Sequence, residues 1–354
     1  MKSKHLLFNG CSFTDENYTS HELLAPVKPW PYWVCKELNH THENLALSGS
    51  GNDRIGVTTC ERIYKSSPKV RGVGIGLSGW DRFYYFDKNK RMSLGVMFLY
   101  PMALSYLRGD MDKESLDELK IKQPQTYFSI ISLISSLANL TDIDEVTEFR
   151  MDEKSKEDAI NYMETNLDYT CMRLGINPNI RVHGTFEKNL IRKKVSTLFL
   201  ETLNHVCSIV DICRANNIPL AMAQATGTGL VKEGITDTYF DIAKKNERHS
   251  WMHELLDLIF SKKLIKEVIN SPQFDYLEKI DSEDNNIRLI GWPWISELGG
   301  KNIESLLCSR KDLYKDYHEY KKKCKVSKYD LHWSEEGHKA IAELIFLPHF
   351  KEIL

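Results

Sequence analysis

The chain has 354 residues, 42% apolar and 27% charged, with 47 basic and 49 acidic side chains for a net charge of −2. That balance gives no basic surface for nucleic acid or for an anionic bilayer, and it supplies enough apolar material for a large core. Length alone calls for two domains or for one domain carrying long insertions.

The first element is Leu6-Leu7-Phe8. This run is too short for a helix and reads as a buried strand broken at Gly10. Ser12 then falls just past the strand's C-terminal end, where open α/β sheets hold their ligands. After a polar loop, Pro29-Trp30-Pro31 leads into YWVCKELN, a short amphipathic helix started by proline. Leu45 to Leu47 reads as a brief strand ended by Ser48-Gly49-Ser50-Gly51. The segment that follows, from Asp53, carries apolar positions 55, 57, 60 and 63, a helix spacing. VRGVGIGLSG reads as a glycine-rich buried strand ending near Ser78.

Residues 203–217 read as a helix feeding a strand over 218–226. Residues 334–346 read as a closing helix, with Ser334 as N-cap and Glu335 and Glu336 in its first turn. Strand–helix alternation with short connections implies βαβ units and a parallel sheet. Residues 84–200 and 231–325 do not alternate and are helix-rich, so both are expected to be insertions into one α/β domain spanning 1–354. No internal repeat or low-complexity tract is present.

The eight cysteines are scattered with no Cys-x-x-Cys pair, against a four-cysteine zinc site and against a disulfide framework. Free thiols, a strand starting about five residues from Met1 and no apolar run reaching the ~18 residues of a membrane span lead to the expectation of a soluble, cytoplasmic protein. Lys321-Lys322-Lys323 is expected to be a solvated helix face.

In a parallel sheet the C-terminal ends of neighbouring strands meet at one edge. Here those ends supply Gly10-Cys11-Ser12-Phe13-Thr14, Ser48-Gly49-Ser50-Gly51-Asn52 and Leu77-Ser78-Gly79-Trp80-Asp81-Arg82, to which the C-terminal Asp330-Leu331-His332-Trp333 can be added. A hydroxyl, glycine amides, an amide side chain and an Asp/His pair would converge there.

On these blocks the chain resembles the SGNH (GDSL-like) hydrolases, in particular the phage and bacterial branch whose first block reads Gly-Cys-Ser-Phe-Thr. The resemblance covers roughly 1–83, 200–226 and 326–354. It implies a three-layer α/β/α sandwich on a parallel, flavodoxin-like sheet. It further implies Ser12 as nucleophile, His332 as base and Asp330 as its orienting acid. Gly49 would be an oxyanion donor beside the Ser12 amide. Three features depart from the family pattern. Cys11 stands where the first block commonly has Asp, as is typical of this branch, and leaves the serine in place. Asp330 and His332 are two apart rather than three. The third block, expected to read Gly-x-Asn-Asp, is Ser78-Gly79-Trp80-Asp81, and Trp80 cannot supply an amide donor. Asn52 is then the nearest replacement in the oxyanion hole, with Arg82 a second candidate.

The function expected is a serine esterase removing an acyl group, acetyl among the candidates, from a glycan or small ester, with no cofactor and no metal. An O-acyltransferase using the same triad, or a degenerate binding module, are the alternatives. Trp80 and Arg82 are candidate substrate contacts. The aromatic run from Trp80 to Phe86 and Gly291-Trp292-Pro293-Trp294 are candidate walls for a sugar ring, with core packing their more common use. Asp81 and Arg82 read as a buried structural pair in preference to a chemical role.

Rival motifs carry less. Gly74-Ile75-Gly76-Leu77-Ser78-Gly79 matches the dinucleotide pattern but lies inside a strand. His249 and His253 have helix-ligand spacing without the glutamate of a zinc protease. His40-Thr41-His42 reads as a solvated loop and His338 as structural. The Gly-x-Ser-x-Gly elbow is absent at Ser12.

Overall fold

A computed structural model describes residues 4–18, 26–65, 68–80, 82–83, 92–93, 96–111, 113–122, 127, 130–131, 133–134, 151–173, 188–228, 262–326 and 332–354. Its centre is a five-stranded, all-parallel sheet. The strands are β1 (His5–Gly10), β2 (Thr41–Asn44), β3 (Val70–Leu77), β6 (Leu220–Gln224) and β7 (Ile287–Ile290), in spatial order β2-β1-β3-β6-β7. Two short strands, β4 (Arg82–Phe83) and β5 (Met92–Ser93), pair separately as an antiparallel ribbon. The strand order reverses at β1, so the end of β1 is the topological switch point at which such sheets place their sites.

Side-chain alternation splits the core in two. Leu7, Val73, Ile75, Leu77, Leu220 and Met222 face one helical layer. That layer contains α2 (Asn52–Tyr64) and α6 (Lys188–Ala215), with α7 (Lys262–Ile269) and α8 (Pro272–Glu283) beside α6. On the opposite face Leu6, Phe8, Ala221 and Ala223 pack with Trp30 and Val34 of α1 (Trp30–Leu38) and with the C-terminal helices α11 (Glu335–Ile341) and α12 (Leu347–Ile353). The result is the three-layer α/β/α sandwich. The same alternation explains the glycines of β3. Gly74 lies beneath the Phe8 ring and Trp30, where a Cβ would sit 2.5 Å from Phe8 Cδ1 and 3.2 Å from Trp30 Cη2. Phe8 and Trp30 meet edge to face at 5.2 Å, and Trp30 stacks flat on Phe346 at 3.8 Å. Glycine on this face makes room for aromatics on the next layer; it does not cradle a dinucleotide.

Helix boundaries follow local chemistry. Pro31 occupies the first turn of α1 and Asn39 closes it in the left-handed region at φ 53°. The Ser334 hydroxyl accepts from the Gly337 N–H at 3.1 Å and starts α11. Between α11 and α12 the chain makes one π turn, Ala342–Phe346, just ahead of Pro348. Proline has no N–H to donate back along the helix, and a widened turn accommodates its ring.

Three expectations are corrected here. The strand placed at Leu45–Leu47 lies four residues earlier, at Thr41–Asn44, so His40-Thr41-His42 leads into an edge strand and is not a loop. Pairing nevertheless continues past the strand, Leu45 N–H donating to Phe8 O at 2.8 Å and Leu47 N–H to Gly10 O at 3.3 Å. Residues 231–325 are not wholly an insertion, because β7 completes the sheet beside β6. The helix expected over 203–217 starts much earlier. Its stretch Lys193–Ala215 is long and apolar enough by composition to cross a bilayer, with 56% of its most apolar 18 residues buried in the protein. Val195, Phe199, Val206, Val210 and Cys213 form its core stripe.

Of the first long segment, α3 (Val96–Leu107), α4 (Lys113–Lys122) and α5 (Glu153–Arg173) are described, and their buried residues join the same apolar cluster as β3. Tyr127, Ile130, Ile131, Leu133 and Ile134 are helical as well. After α9 (Ile303–Cys308), Lys321, Lys322 and Lys323 lie on α10 (Tyr317–Cys324), partly or fully exposed, as a solvated face should.

Replacing Gly74 with alanine forces a methyl group into the packed Phe8–Trp30 contact. Urea unfolding should show a loss of about 1–3 kcal/mol with an unchanged m value.

Candidate active site

The segment after β1 makes one tight turn, in which Cys11 O accepts from Thr14 N–H at 2.8 Å and from Asp15 N–H at 3.1 Å. Ser12 sits at the start of this turn, 8% exposed. Its Oγ lies 2.8 Å from Nε2 of His332, a residue 320 positions away. With the ring proton on Nδ1, the hydroxyl donates to Nε2, the polarity a general base requires. Asp330 lies outside the described residues.

The imidazole of His332 is held between two rings. Phe13 stacks on it at 4.5 Å and 23°, and Tyr18 at 3.9 Å and 27°. Its backbone is fixed as well. Val326 N–H donates to His332 O at 2.9 Å, Lys325 and Trp333 form an antiparallel bridge, and Ser334 N–H donates to Cys324 O at 2.9 Å.

The second block is brought alongside by Asp15. One carboxylate oxygen accepts from the Ser48 N–H at 2.8 Å and the Ser48 hydroxyl at 2.7 Å, while the other accepts from Asn17 N–H at 2.9 Å. Arg54 donates to Leu45 O and Ser50 Oγ and secures the same loop. Gly49 takes φ 79°, a conformation that favours glycine. Among the described residues, neither Ser12 N–H nor Gly49 N–H has an acceptor within the chain.

Asn52 does not fit the oxyanion role expected of it. It is 1% exposed and its amide is spent on the end of β3, with Nδ2 donating to Ser78 O at 3.0 Å and Oδ1 accepting from Ser78 N–H at 2.9 Å. Gln224 makes a matching clamp, its Nε2 donating to Ser78 O at 2.8 Å. Trp80 is likewise corrected from substrate contact to core. It is fully buried, its indole N–H donates to Gln224 Oε1 at 2.9 Å, and its carbonyl accepts from the Thr202 hydroxyl at 3.1 Å. Trp294 is also core, 2% exposed and bonded to Ile290 O, while Trp292 packs against Phe274. Arg82 is half-buried on β4, whose backbone passes against Gly51. Asp81 and the pair His249 and His253 lie outside the described residues. Among those described, no three His, Cys, Asp or Glu side chains converge as a metal site would require.

Residues not singled out in the sequence complete the site's support: Phe13, Asp15, Tyr18, Gln224 and Lys325. Asp15 had one available signal, a carboxylate three residues after the serine at a turn. His338, expected to be structural, is buried against Trp333. Its Nδ1 has no partner among the described residues, and burial, with His332 and Lys325 nearby, pushes its pKa down to about 3.

Comparison with protein-family models, curated proteins and solved structures finds no match to this chain.

His338 stays neutral in the folded protein while an unfolded histidine takes a proton below about pH 6.5. Its contribution is therefore lost as pH falls from about 6.5 toward 3, at up to roughly 1.4 kcal/mol per pH unit. Urea unfolding of His338→Leu should show a pH slope shallower by about one proton between pH 6 and 4; an unchanged slope would remove His338 as the cause. Asp15→Asn replaces an acceptor with donors facing the Ser48 N–H and should cost about 1–3 kcal/mol in the same assay.

Proposed function

We propose that the chain is a serine hydrolase of the SGNH type, an esterase or deacylase acting on the acyl ester of a glycan or small molecule. The observation that carries this reading is the 2.8 Å contact between Ser12 Oγ and His332 Nε2 at the switch point of a parallel sheet. An unassisted hydroxyl is a poor nucleophile at neutral pH, and a base within hydrogen-bond reach is what activates it.

In the proposed reaction, Ser12 Oγ attacks the ester carbonyl as His332 Nε2 takes its proton. Negative charge develops on the carbonyl oxygen, opposite the Ser12 and Gly49 N–H groups. The tetrahedral intermediate collapses by expelling the alcohol, which leaves with the proton returned from His332, and an ester on Ser12 remains. Water, deprotonated in turn by His332, then releases the acid and restores the hydroxyl. The resemblance assigns Asp330 the orientation of the ring and stabilisation of the imidazolium. Phe13 and Tyr18 add to that task, since stacked aromatic faces favour a cationic ring.

The burial of Trp80 favours a second reading, that of a binding module with a weakened centre. An oxyanion donor is worth roughly 10²–10³ in turnover, and the third block offers none from its side chain. A fluorophosphonate probe separates the two. The hydrolase reading expects covalent labelling that disappears in Ser12→Ala and slows by at least about 10³-fold in His332→Ala. Absence of labelling, together with inertness toward p-nitrophenyl acetate and butyrate, would leave the binding module in possession.

A further inference from the structure

Lys325 is the one lysine among the described residues buried in the core, its side chain 2% exposed. Its ammonium lies 5.2 Å from the Trp333 ring centroid, 5.8 Å from Phe13 and 5.9 Å from Tyr320. Its counter-charge is Glu304, at 3.5 Å, whose other oxygen accepts from the Tyr317 hydroxyl at 2.8 Å. Phe13 is the chain neighbour of Ser12, and Trp333 is the chain neighbour of His332. The two halves of the Ser12–His332 contact therefore close on one cation, and Phe13 also stacks on the imidazole itself. A solvent-facing lysine would cost nothing to desolvate; this one is kept inside at a penalty that only a specific arrangement repays.

We infer that Lys325 is a positioning residue for the Ser12–His332 pair, its buried ammonium fixing Phe13 and Trp333 and holding the imidazole neutral as a base. The inference rests on the hydrolase reading for its catalytic meaning, but not for its electrostatics.

Several titratable groups surround Lys325. Glu304 is the anion that faces it. Cys308 and Cys324 are thiols pushed upward by burial, Cys308 to about 12, and Tyr320 is a phenol pushed upward in the same way. His338 is neutral. Lys311 and Lys323 lie near the two thiols on the outer side, and Glu336 faces Cys324. Burial lowers the Lys325 pKa while Glu304 raises it. Lys325 and His332 both act electrostatically on the buried His338, which puts the cation in the neighbourhood of the imidazole; a cation there disfavours protonation of the ring, so removing it raises the imidazole pKa.

The test is a titration of the His332 side chain by NMR in the full chain, with wild type beside Lys325→Met and Lys325→Arg, each first shown to melt cooperatively. Lys325→Met should raise the His332 midpoint by roughly half to one pH unit, while Lys325→Arg, which keeps the charge, should leave it near wild type. Fluorophosphonate labelling should respond in two ways in Lys325→Met. Its acid limb should move to higher pH by the same amount, and its plateau rate should fall about tenfold as Phe13 loses its partner. Should the methionine variant fail to fold, Lys325→Gln, which retains a donor for Glu304, takes its place. A folded neutral variant with an unmoved His332 titration overturns the inference. The NMR arm needs no substrate, so a wild type that never labels sinks the hydrolase reading while leaving Lys325 to be decided on its own.

Discussion

The turn that carries Ser12 can lie against the end of the sheet only because two glycines present no side chain there. A Cβ on Gly10 would fall 2.4 Å from Thr14 Oγ1, and one on Gly76 would fall 2.7 Å from the same atom. Thr14 is fully buried at that spot, accepting from the Trp30 indole N–H at 3.3 Å. Its carbonyl takes the Asn44 amide at 2.8 Å, which ties the turn to the end of β2. A larger residue at either glycine lifts the turn away from β1 and β3, and with it the hydroxyl, the Asp15 carboxylate and the loop that Asp15 holds. Sheet packing and site geometry are thus one constraint seen at two scales.

What surrounds the Ser12–His332 contact is built mainly to stop movement. The imidazole is closed between Phe13 and Tyr18, and the backbone on either side of it is paired with residues 324 to 326. Stacked aromatic contacts bring about 0.5–1.5 kcal/mol each beyond their buried area, so two of them suffice to hold one ring orientation against thermal rotation. The cation behind Phe13 and Trp333 works differently. A buried ion pair gives little net stability, because desolvating its two charges offsets most of their attraction. Its value lies in orientation: an ammonium among three ring faces, anchored by one carboxylate, has few alternative positions.

Much of this was legible in the sequence where one local rule sufficed. Leu6-Leu7-Phe8, the β3 run and the Ser334 cap each announce an element by apolar content or by a capping side chain, and strand-end placement pointed to Ser12. Failures came where structure depends on neighbours. Thr41–Asn44 is a half-exposed edge strand with no apolar run, specified by pairing with β1 rather than by its own residues. Ile287–Ile290 is only four residues long, between an acidic helix end and a turn, and so passed for part of an insertion. Asn52 and Trp80 were assigned by block position, and position in a block does not reveal where a side chain points. Lys325 closes a charged triplet's neighbourhood on α10 and reads as one more solvated lysine; only the tertiary fold puts it inside.

Trp80 shows how the edge is rebuilt without an amide at that position. Its indole fills the core and engages Gln224, and Gln224 in turn grips the Ser78 carbonyl that Asn52 also holds. The Trp80 indole N–H, both ends of the Gln224 and Asn52 amides and the Ser78 backbone all find partners, and leaving one unpaired would cost about 1–3 kcal/mol. Restoring an outward amide at residue 80 would therefore strand Gln224 and open a cavity the size of an indole beside β3. The end of β3 is held rigid by side chains that face inward. On the hydrolase reading, the backbone N–H groups of Ser12 and Gly49 are the donors left for an oxyanion at this edge, neither having an acceptor among the described residues.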